Sequence, residues 1–561
     1  MRKDVLLKLV LLVMLFIGMF TACDDDEKGK GGNPDVAFNT ETGEYRVKVG
    51  KEVLLQATVS DAMNPLCSWK LNGKIVSTDT TYLFRGEQVG DYFVNFKIDA
   101  ENGSIEKQVK VSVLDKLPPE VTLDDAAVVM SGRDRSFGAE VSNPEGATYM
   151  WVLNGEIVCQ DSLFVFNRED VRMYDLSLVV KNEDGATAKS MTVTVVPLAP
   201  PKLIFNDGRY RTVSDNRITN FSVPLGRELV LSPYPIDITE KAVYEWQVDG
   251  VKQSETTSYF KFAPTAQGRY YITVTATEEG GRTASTETYV ECVDPEGTHR
   301  NWPTDGSSAR FTEVFEYIPA PGQFVNFPVG STEADALAKG KTILDPSTPY
   351  LSLGAYGGYV VIGFDHSVEN VPGEYDLILE GNAFAGSSEP GIVWVMQDEN
   401  GNGLPDDTWY ELKGSASAEE MSRKYVITYY RPTQERGNSI WSDNYGNAGS
   451  VDVNGYHGQT FFFPMFIEED FMHFGTRLAS KVEIRGGLWY NGEYDWGYVD
   501  NYGTDKSCFK IDNAIQVDGT PANLKYIDFV MIQTSVNQKA GVLGESSTEF
   551  LDGYDYHLKN K

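Results

Sequence analysis

Apolar and polar residues alternate at every second position along most of this chain, in short runs broken by Gly, Asn, Asp and Pro. That period puts one face of an extended segment in a core and the other in water, so the chain reads as β-strands joined by turns. Before residue 294 the pattern recurs three times. SWKLNGKIV (68–76), MWVLNGEIV (150–158) and EWQVDGVKQ (245–253) each carry a Trp (Trp69, Trp151, Trp246) and then an Asn-Gly or Asp-Gly turn. A Tyr stands about 23 residues after each Trp (Tyr92, Tyr174, Tyr270), and each copy closes on two alternating strands joined by a turn. Such short strands around one buried Trp predict an immunoglobulin-like sandwich. The three repeats are expected over 34–116, 117–197 and 198–294. Prolines at their boundaries (Pro118-Pro119, Pro197, Pro200-Pro201, Pro295) stiffen the joints.

From residue 295 to 561 the composition turns to Gly, Tyr, Trp and Asn, and six of the nine tryptophans lie here: Trp302, Trp394, Trp409, Trp441, Trp489 and Trp496. Strand-like runs at 359–364, 375–379, 424–430, 481–484 and 526–532 alternate with turn signals. The helical pieces expected are short, at 333–339 and 418–424. The whole is predicted to be all-β: three immunoglobulin/PKD-like sandwiches in tandem, then a larger jelly-roll-like β-sandwich that binds ligand. The repeats resemble the PKD family, whose members usually act as spacers, which implies a stalk. The alternative is that each repeat binds ligand, although the three repeat tryptophans read as core.

The first residues, Met1-Arg-Lys3, are basic, and 5–20 is apolar apart from Lys8. Residues 1–22 are therefore expected to be a signal peptide. Phe20-Thr-Ala-Cys23 resembles a bacterial lipobox, which implies acylation of Cys23. Asp24-Asp25-Asp26-Glu27 resembles the acidic export tag of surface-exposed lipoproteins in Bacteroidota, and 23–33 reads as a flexible acidic tether. The expected location is the outer membrane, lipid-anchored and facing outward. A net charge of −32 argues against nucleic acid and against electrostatic attachment to anionic lipid. The lipid anchor is thus the expected membrane contact. Cys67, Cys159, Cys292 and Cys508 lie far apart, so no disulfide framework is expected; Cys67 and Cys159 read as small core residues. No C-x-x-C or His cluster suggests zinc.

Two stretches carry candidate chemistry. The first is GIVWVMQDENGNGLPDDTWYELKGS (391–415), in which two strand-like runs flank an Asp/Asn/Gly loop. Side-chain oxygens of Asp398, Asn400, Asn402, Asp406 and Asp407, with the Leu404 carbonyl, have the spacing a hard cation such as Ca2+ uses on a tight loop. Trp409 stands where an EF-hand carries its bidentate Glu, and no helices flank the loop, so it is not an EF-hand. A structural rather than catalytic ion is expected, and the alternative is a polar hairpin turn. The second is aromatic and polar: Trp441, Asn444 and Tyr445, then Trp489, Tyr490, Tyr494, Trp496 and Tyr498, on Gly-rich segments that read as loops. Rings to stack on and amides to bond with suit a corrin or a sugar equally.

Several stretches of this domain resemble, in order, a family of bacterial "cell surface protein" lipoproteins: YIPAPGQFVN (317–326), GGYVVIGFD (357–365), EGNAF (380–384), 389–415, DWGYVDN (495–501), YIDFVMIQT (526–534) and GESSTE (544–549). Members of that family commonly accompany corrinoid uptake systems. The resemblance implies a surface protein that captures cobalamin for an outer-membrane TonB-dependent transporter. Among the residues themselves, His457 and His473 are the candidates for direct cobalt ligation, against which stands that a lone His is usually structural or solvated. The alternatives are a glycan-binding protein or adhesin and, less expected, a glycan hydrolase. For the hydrolase, Asp406 with Glu411 and Asp495 with Asp500 are the candidate acid pairs. No catalytic residue is assigned, because no G-x-S-x-G, H-E-x-x-H or phosphate loop occurs.

Overall fold

The computed structural model describes residues 34–561 apart from 39, 41–42, 61, 124–125, 198–199, 326–329, 454–458, 486–487, 540–543 and 561. It gives only the backbone of residues 60, 140, 484, 485, 488 and 489. The signal segment and Cys23 thus lie outside the described residues. The chain divides into two compact units, Met1–Leu117 with Arg485–Leu488, and Pro118–Ile484 with Trp489–Lys561.

In the first unit, a five-stranded sheet runs Glu44–Lys48, Gly103–Leu114, Gly90–Ala100, Leu66–Leu71, Lys74–Ser77 in spatial order. It faces a three-stranded sheet of Asp35–Phe38, Glu52–Ser60 and Thr81–Arg85. Trp69 is buried between them with Phe38 and Phe96 against its ring. The second unit repeats this order twice. Ala126–Met130 and Thr219–Pro224 pair in parallel with the last strands of their repeats, Gly185–Val196 and Thr283–Val293, as Glu44–Lys48 does with Gly103–Leu114. The chain is all-β with three immunoglobulin-like sandwiches in tandem.

The local chemistry behind the repeats is the one the pattern implies. Asn72-Gly73, Asn154-Gly155 and Asp249-Gly250 all have positive φ at both residues, the tight hairpin turn that Asn/Asp-Gly favours. The hydroxyls of Tyr92, Tyr174 and Tyr270 donate to the carbonyls of Gln88, Asp170 and Ala266, each four residues back, in the manner of a tyrosine corner. Trp151 and Trp246 are fully buried and donate Nε1–H to Asp161 and Thr257 carbonyls. Cys67 and Cys159 are half-buried at the margins of their cores, Cys292 is buried, and all four described cysteines are free thiols.

The C-terminal region is a larger sandwich of three antiparallel sheets. The six-stranded sheet orders Glu313–Ile318, Tyr359–Glu369, Tyr526–Thr534, Gly391–Met396, Trp409–Leu412 and Ala514–Ile515. A four-stranded sheet orders Leu351–Ser352, Glu549–Asp555, Leu377–Gly381 and Cys508–Phe509. In the third, Phe471–Leu478 pairs with Met421–Tyr429, which continues to Ser439–Asp443 and Ala448–Val451. Residues of all three share one core, including Val360, Ile532, Phe550, Leu379, Ile427 and Phe471. The expected helix near 333 is present as Glu333–Gly340, started by a Thr332/Asp335 capping box. The helix expected at 418–424 is corrected: only Ala418–Glu420 turns, as 3-10 helix, and Met421–Tyr429 is a strand. Pairing with Phe471–Leu478 outweighs the local helix preference of Ala-Glu-Glu.

The third repeat is built into this sandwich. Arg211–Thr212 adds an edge strand to Phe471–Met472. The Thr408 hydroxyl donates to the Ser222 carbonyl (2.6 Å) and accepts from its N–H (3.1 Å). Gln516 clasps Leu229–Leu231 from both sides, accepting from Val230 N–H and donating to Glu228 O. Arg227 donates to Gln397 (2.9 Å), Glu399 (3.4 Å) and Glu296 (2.5 Å), an ion-pair network with little exposure to water.

Candidate ligand-binding site

Asp505-Lys506-Ser507-Cys508 is a tight turn: Lys506 and Ser507 both have positive φ, and Cys508 N–H donates to Asp505 O (3.1 Å). It feeds the short strand Cys508–Phe509, which pairs with Leu377–Ile378 at the sheet edge. Beside this edge lies a cavity of about 340 Å3, with Tyr375, Trp496, Lys413, Lys510, Asn513 and Asp505 in its wall. Lys510 Nζ stands 5.2 Å from the Tyr375 ring centre and donates to Gly373 O (2.6 Å). Asp505 is only 7% exposed; one carboxylate oxygen accepts from Gly497 N–H (2.6 Å), and the other is buried with no partner among the described residues. Burial pushes the Asp505 carboxyl up from its ordinary range, and the Gly497 bond opposes this. Two rings, two ammonium groups, an amide and a carboxylate are what orient a polar ring-shaped ligand, and the volume sits near the lower end of the roughly 300–1,000 Å3 of small-molecule sites.

Of the aromatic residues singled out from sequence, Trp496 lines this cavity. Tyr494 and Tyr498 do not: each is 2% exposed, and they pack together (ring centres 5.2 Å apart) with Ile392, Leu478 and Val536. Their hydroxyls bond backbone, Tyr494 to Ala479 O and Tyr498 from Ala416 N–H. The Tyr490 ring is pressed against Gly386, where a Cβ would stand 2.1 Å from it. The Trp489 side chain lies outside the described residues. The 441–445 group is elsewhere. Trp441 is half-buried against the main core and covers Gly449. Asn444 is fully used, accepting from Val426 N–H and donating to Pro235 and Lys424 carbonyls. Tyr445, 55% exposed, stacks on Tyr425 at 6.0 Å.

The 398–407 loop closes on itself. Asp398 accepts from the N–H groups of Gly401, Asn402 and Gly403. The Asn400 amide donates to Asp406 and Asp407, and that of Asn402 to Asp406. The Leu404 carbonyl accepts from Asp406 N–H (2.9 Å), and the Leu404 side chain is exposed. Asp407 is buried, which raises its pKa to about 6. The only group of three potential ligand side chains gathered within 4.8 Å among the described residues is a different one: Glu389, Asp500 and Glu549. Sequence reasoning missed it, together with Tyr375, Lys413, Asp505, Lys510 and Asn513. The available signal was that Glu389, Asp500 and Glu549 each fall inside a family-like stretch.

His473 is buried and ringed by Tyr359, Tyr429 and Phe471 at 5.2–6.2 Å, and burial lowers its pKa to about 3. A corrin cobalt has no route to it in this structure; His457 lies outside the described residues. Neither proposed acid pair shares an environment: Asp406 and Asp495 are exposed, whereas Glu411 and Asp500 are buried, Glu411 accepting from the Thr476 hydroxyl (2.5 Å). No described helix is long and apolar enough to cross a membrane.

A profile of the PKD-like domain matches residues 33–101 and 118–182. The first two repeats are similar to PKD-like domains. Fibronectin(III)-like modules of Clostridium thermocellum CbhA share 21% identity over 29% of this chain and 95% of theirs, at a TM-score of 0.17. The I67–I69 fragment of titin shares 10% identity over 46% of this chain and 98% of its own, at 0.15. Immunoglobulin domains 1–4 of Sidekick-1 share 14% over 59% and 95%, at 0.17. At scores this low the fold rests on the strand order itself. No curated protein matches. PKD-like and immunoglobulin-like sandwiches are typically non-catalytic, and they suit a binding or adhesion protein.

Proposed function

We propose that this is a lipid-anchored, surface-exposed binding protein without catalytic activity, in which the PKD-like repeats carry a C-terminal domain that captures ligand at the Tyr375–Trp496 cavity. The observation that carries the reading is a cavity walled by two aromatic rings, two lysines, an amide and Asp505, one of whose carboxylate oxygens is buried without a partner among the described residues. A saccharide unit fits that chemistry: rings stack on its C–H face, and its hydroxyls satisfy the carboxylate and amide. The second reading is corrinoid capture for a TonB-dependent transporter, supported by the ordered sequence resemblance across the domain. The cavity of about 340 Å3 then takes only the amide-bearing edge of the ligand. A structural Ca2+ at the Asp398 loop belongs to the proposal as well. It requires the Asn400 and Asn402 amides to turn their oxygens inward, in place of the N–H groups that now face Asp406 and Asp407.

The test is calorimetry on the full chain from Asp24 onward, titrated with a panel of oligosaccharides and with cyanocobalamin. Saccharide binding that falls at least tenfold in Trp496→Ala and Asp505→Ala supports the first reading. Cyanocobalamin binding with the same losses moves the ligand to the second. Binding of either that is indifferent to both substitutions removes the cavity from the function.

A further inference from the structure

We propose that Glu389, Asp500 and Glu549 form a buried calcium site that ties the 495–505 segment to the two large sheets of the C-terminal domain. Their carboxylates converge from three segments far apart in sequence. Glu389 stands two residues before the strand Gly391–Met396, Asp500 ends the DWGYVD segment, and Glu549 opens the last strand. One oxygen from each lies within 4.8 Å of the others. Asp500 is 1% exposed and Glu549 5%, while Glu389 is partly exposed as a residue.

The hydrogen bonding leaves room for a ligand. Asp500 Oδ2 accepts from Glu549 N–H (2.8 Å), and Glu389 Oε1 from Ser547 N–H (3.0 Å). Asp500 Oδ1 is buried with no hydrogen-bond partner among the described residues. Glu545, whose pKa is raised further by the charge of Glu389, also holds a buried oxygen without one. None of the three acids has an ion-pair partner among the described residues. Asp500 itself is held at φ +55°, a left-handed backbone that Asp tolerates better than most residues, so the fold accepts strain to aim it. Burial, and then the neighbouring acids, push the Asp500 and Glu549 carboxyls far above their usual range. Three buried acids so close must share protons or be neutralised by a cation.

The chemistry selects the cation. An all-oxygen set without His or Cys favours a hard ion over zinc or copper. Ca2+ accepts an irregular set of six to eight oxygens such as three separate segments supply, whereas Mg2+ demands near-ideal octahedral geometry and keeps most of its waters. Backbone carbonyls and water would complete its shell.

The inference stands apart from the ligand reading, and its test is stability and metal binding on the full chain. After treatment with chelator, 1 mM Ca2+ should raise the unfolding midpoint by roughly 3 °C or more, and Mg2+ by less. Sensitised Tb3+ luminescence should report a site from which Ca2+ displaces the lanthanide. Both responses should persist in the double variant Asp398→Asn, Asp406→Asn, which removes any ion at that loop, and in that background they should be lost on adding Asp500→Asn or Glu549→Gln. If Asp500→Asn does not fold, Glu389→Gln at the exposed edge replaces it, with the same loss expected. A wild-type protein that shows neither response holds a shared-proton cluster, and the proposal falls. It falls equally if the responses survive in Glu389→Gln and Glu549→Gln but vanish in the Asp398/Asp406 variant.

Discussion

The second and third repeats have the same strand order, the same buried Trp, the same turn and the same tyrosine corner, yet they differ in what they are attached to. The core of the second, around Trp151, draws only on residues of that repeat, and its links outward are polar, Arg133 to Asp237 and Glu278 and Arg135 to the Gly446 carbonyl. The third has its own core around Trp246, but Tyr210, Arg227 and Thr219–Pro224 engage the C-terminal sandwich, and Tyr234 shares a cluster with Val426, Met472 and Phe474. The signature of a repeat therefore reports a folding unit and not a mechanical role. A sandwich with a core of its own and one that docks on the C-terminal domain are written in the same pattern, and the difference lies in a few side chains on one face.

The largest effects should separate the two. Trp151→Ala and Trp246→Ala each remove a fully buried indole and should cost about 3–5 kcal/mol locally. In calorimetric scans Trp151→Ala should leave the C-terminal transition in place, whereas Trp246→Ala should pull it down. Equal behaviour would dissolve the distinction. Next, Arg227→Ala strands Glu399 without its cation, leaves Glu296 only Lys525, and should cost about 3 kcal/mol in urea unfolding followed by Trp fluorescence. Adding Glu399→Gln should recover part of it.

Lys424 sharpens the comparison through pH. It donates to Ser232 of the third repeat, stands over Tyr259 (4.0 Å), and burial lowers its pKa to about 8. Its folded value lies below its unfolded one, so the unfolded chain binds more protons between them. Stability should rise as pH climbs from about 8 towards about 10.4, and the gain is lost as pH falls back through 8, an effect of about 2 kcal/mol. Lys424→Met should flatten that slope in denaturation curves taken at pH 7.5 and 10. The smallest effect is Asn444→Ala, which releases Pro235 O and Val426 N–H and should cost about 1 kcal/mol. Should it cost nothing, this part of the junction is contact without cohesion.

The repeats were legible because every feature that makes them is local: period-two alternation, Asn-Gly turns, and a Tyr that bonds four residues back. The expected strands of the C-terminal domain appear within a few residues for the same reason. What was not legible is what comes together from afar. Asp398 to Asp407 drew attention because its oxygens are contiguous, yet contiguity also lets the loop satisfy itself with its own N–H groups. Glu389, Asp500 and Glu549 carry no such local mark, because sheet pairing alone assembles them. In the aromatic run at 489–498, Gly suggested an open loop, but Tyr494 and Tyr498 are core and Trp496 between them faces the cavity. Two-residue strands such as Arg211–Thr212 are too short to leave a period, so the docking of the third repeat was invisible as well.

In each repeat the first strand of the large sheet runs parallel to the last. Pulling such a pair from the two ends of the repeat slides the strands past each other, so the ladder bonds between them bear the load together rather than parting one at a time. A stretching force applied across a repeat therefore meets a latch, a set of ladder bonds that must break together before the sandwich opens.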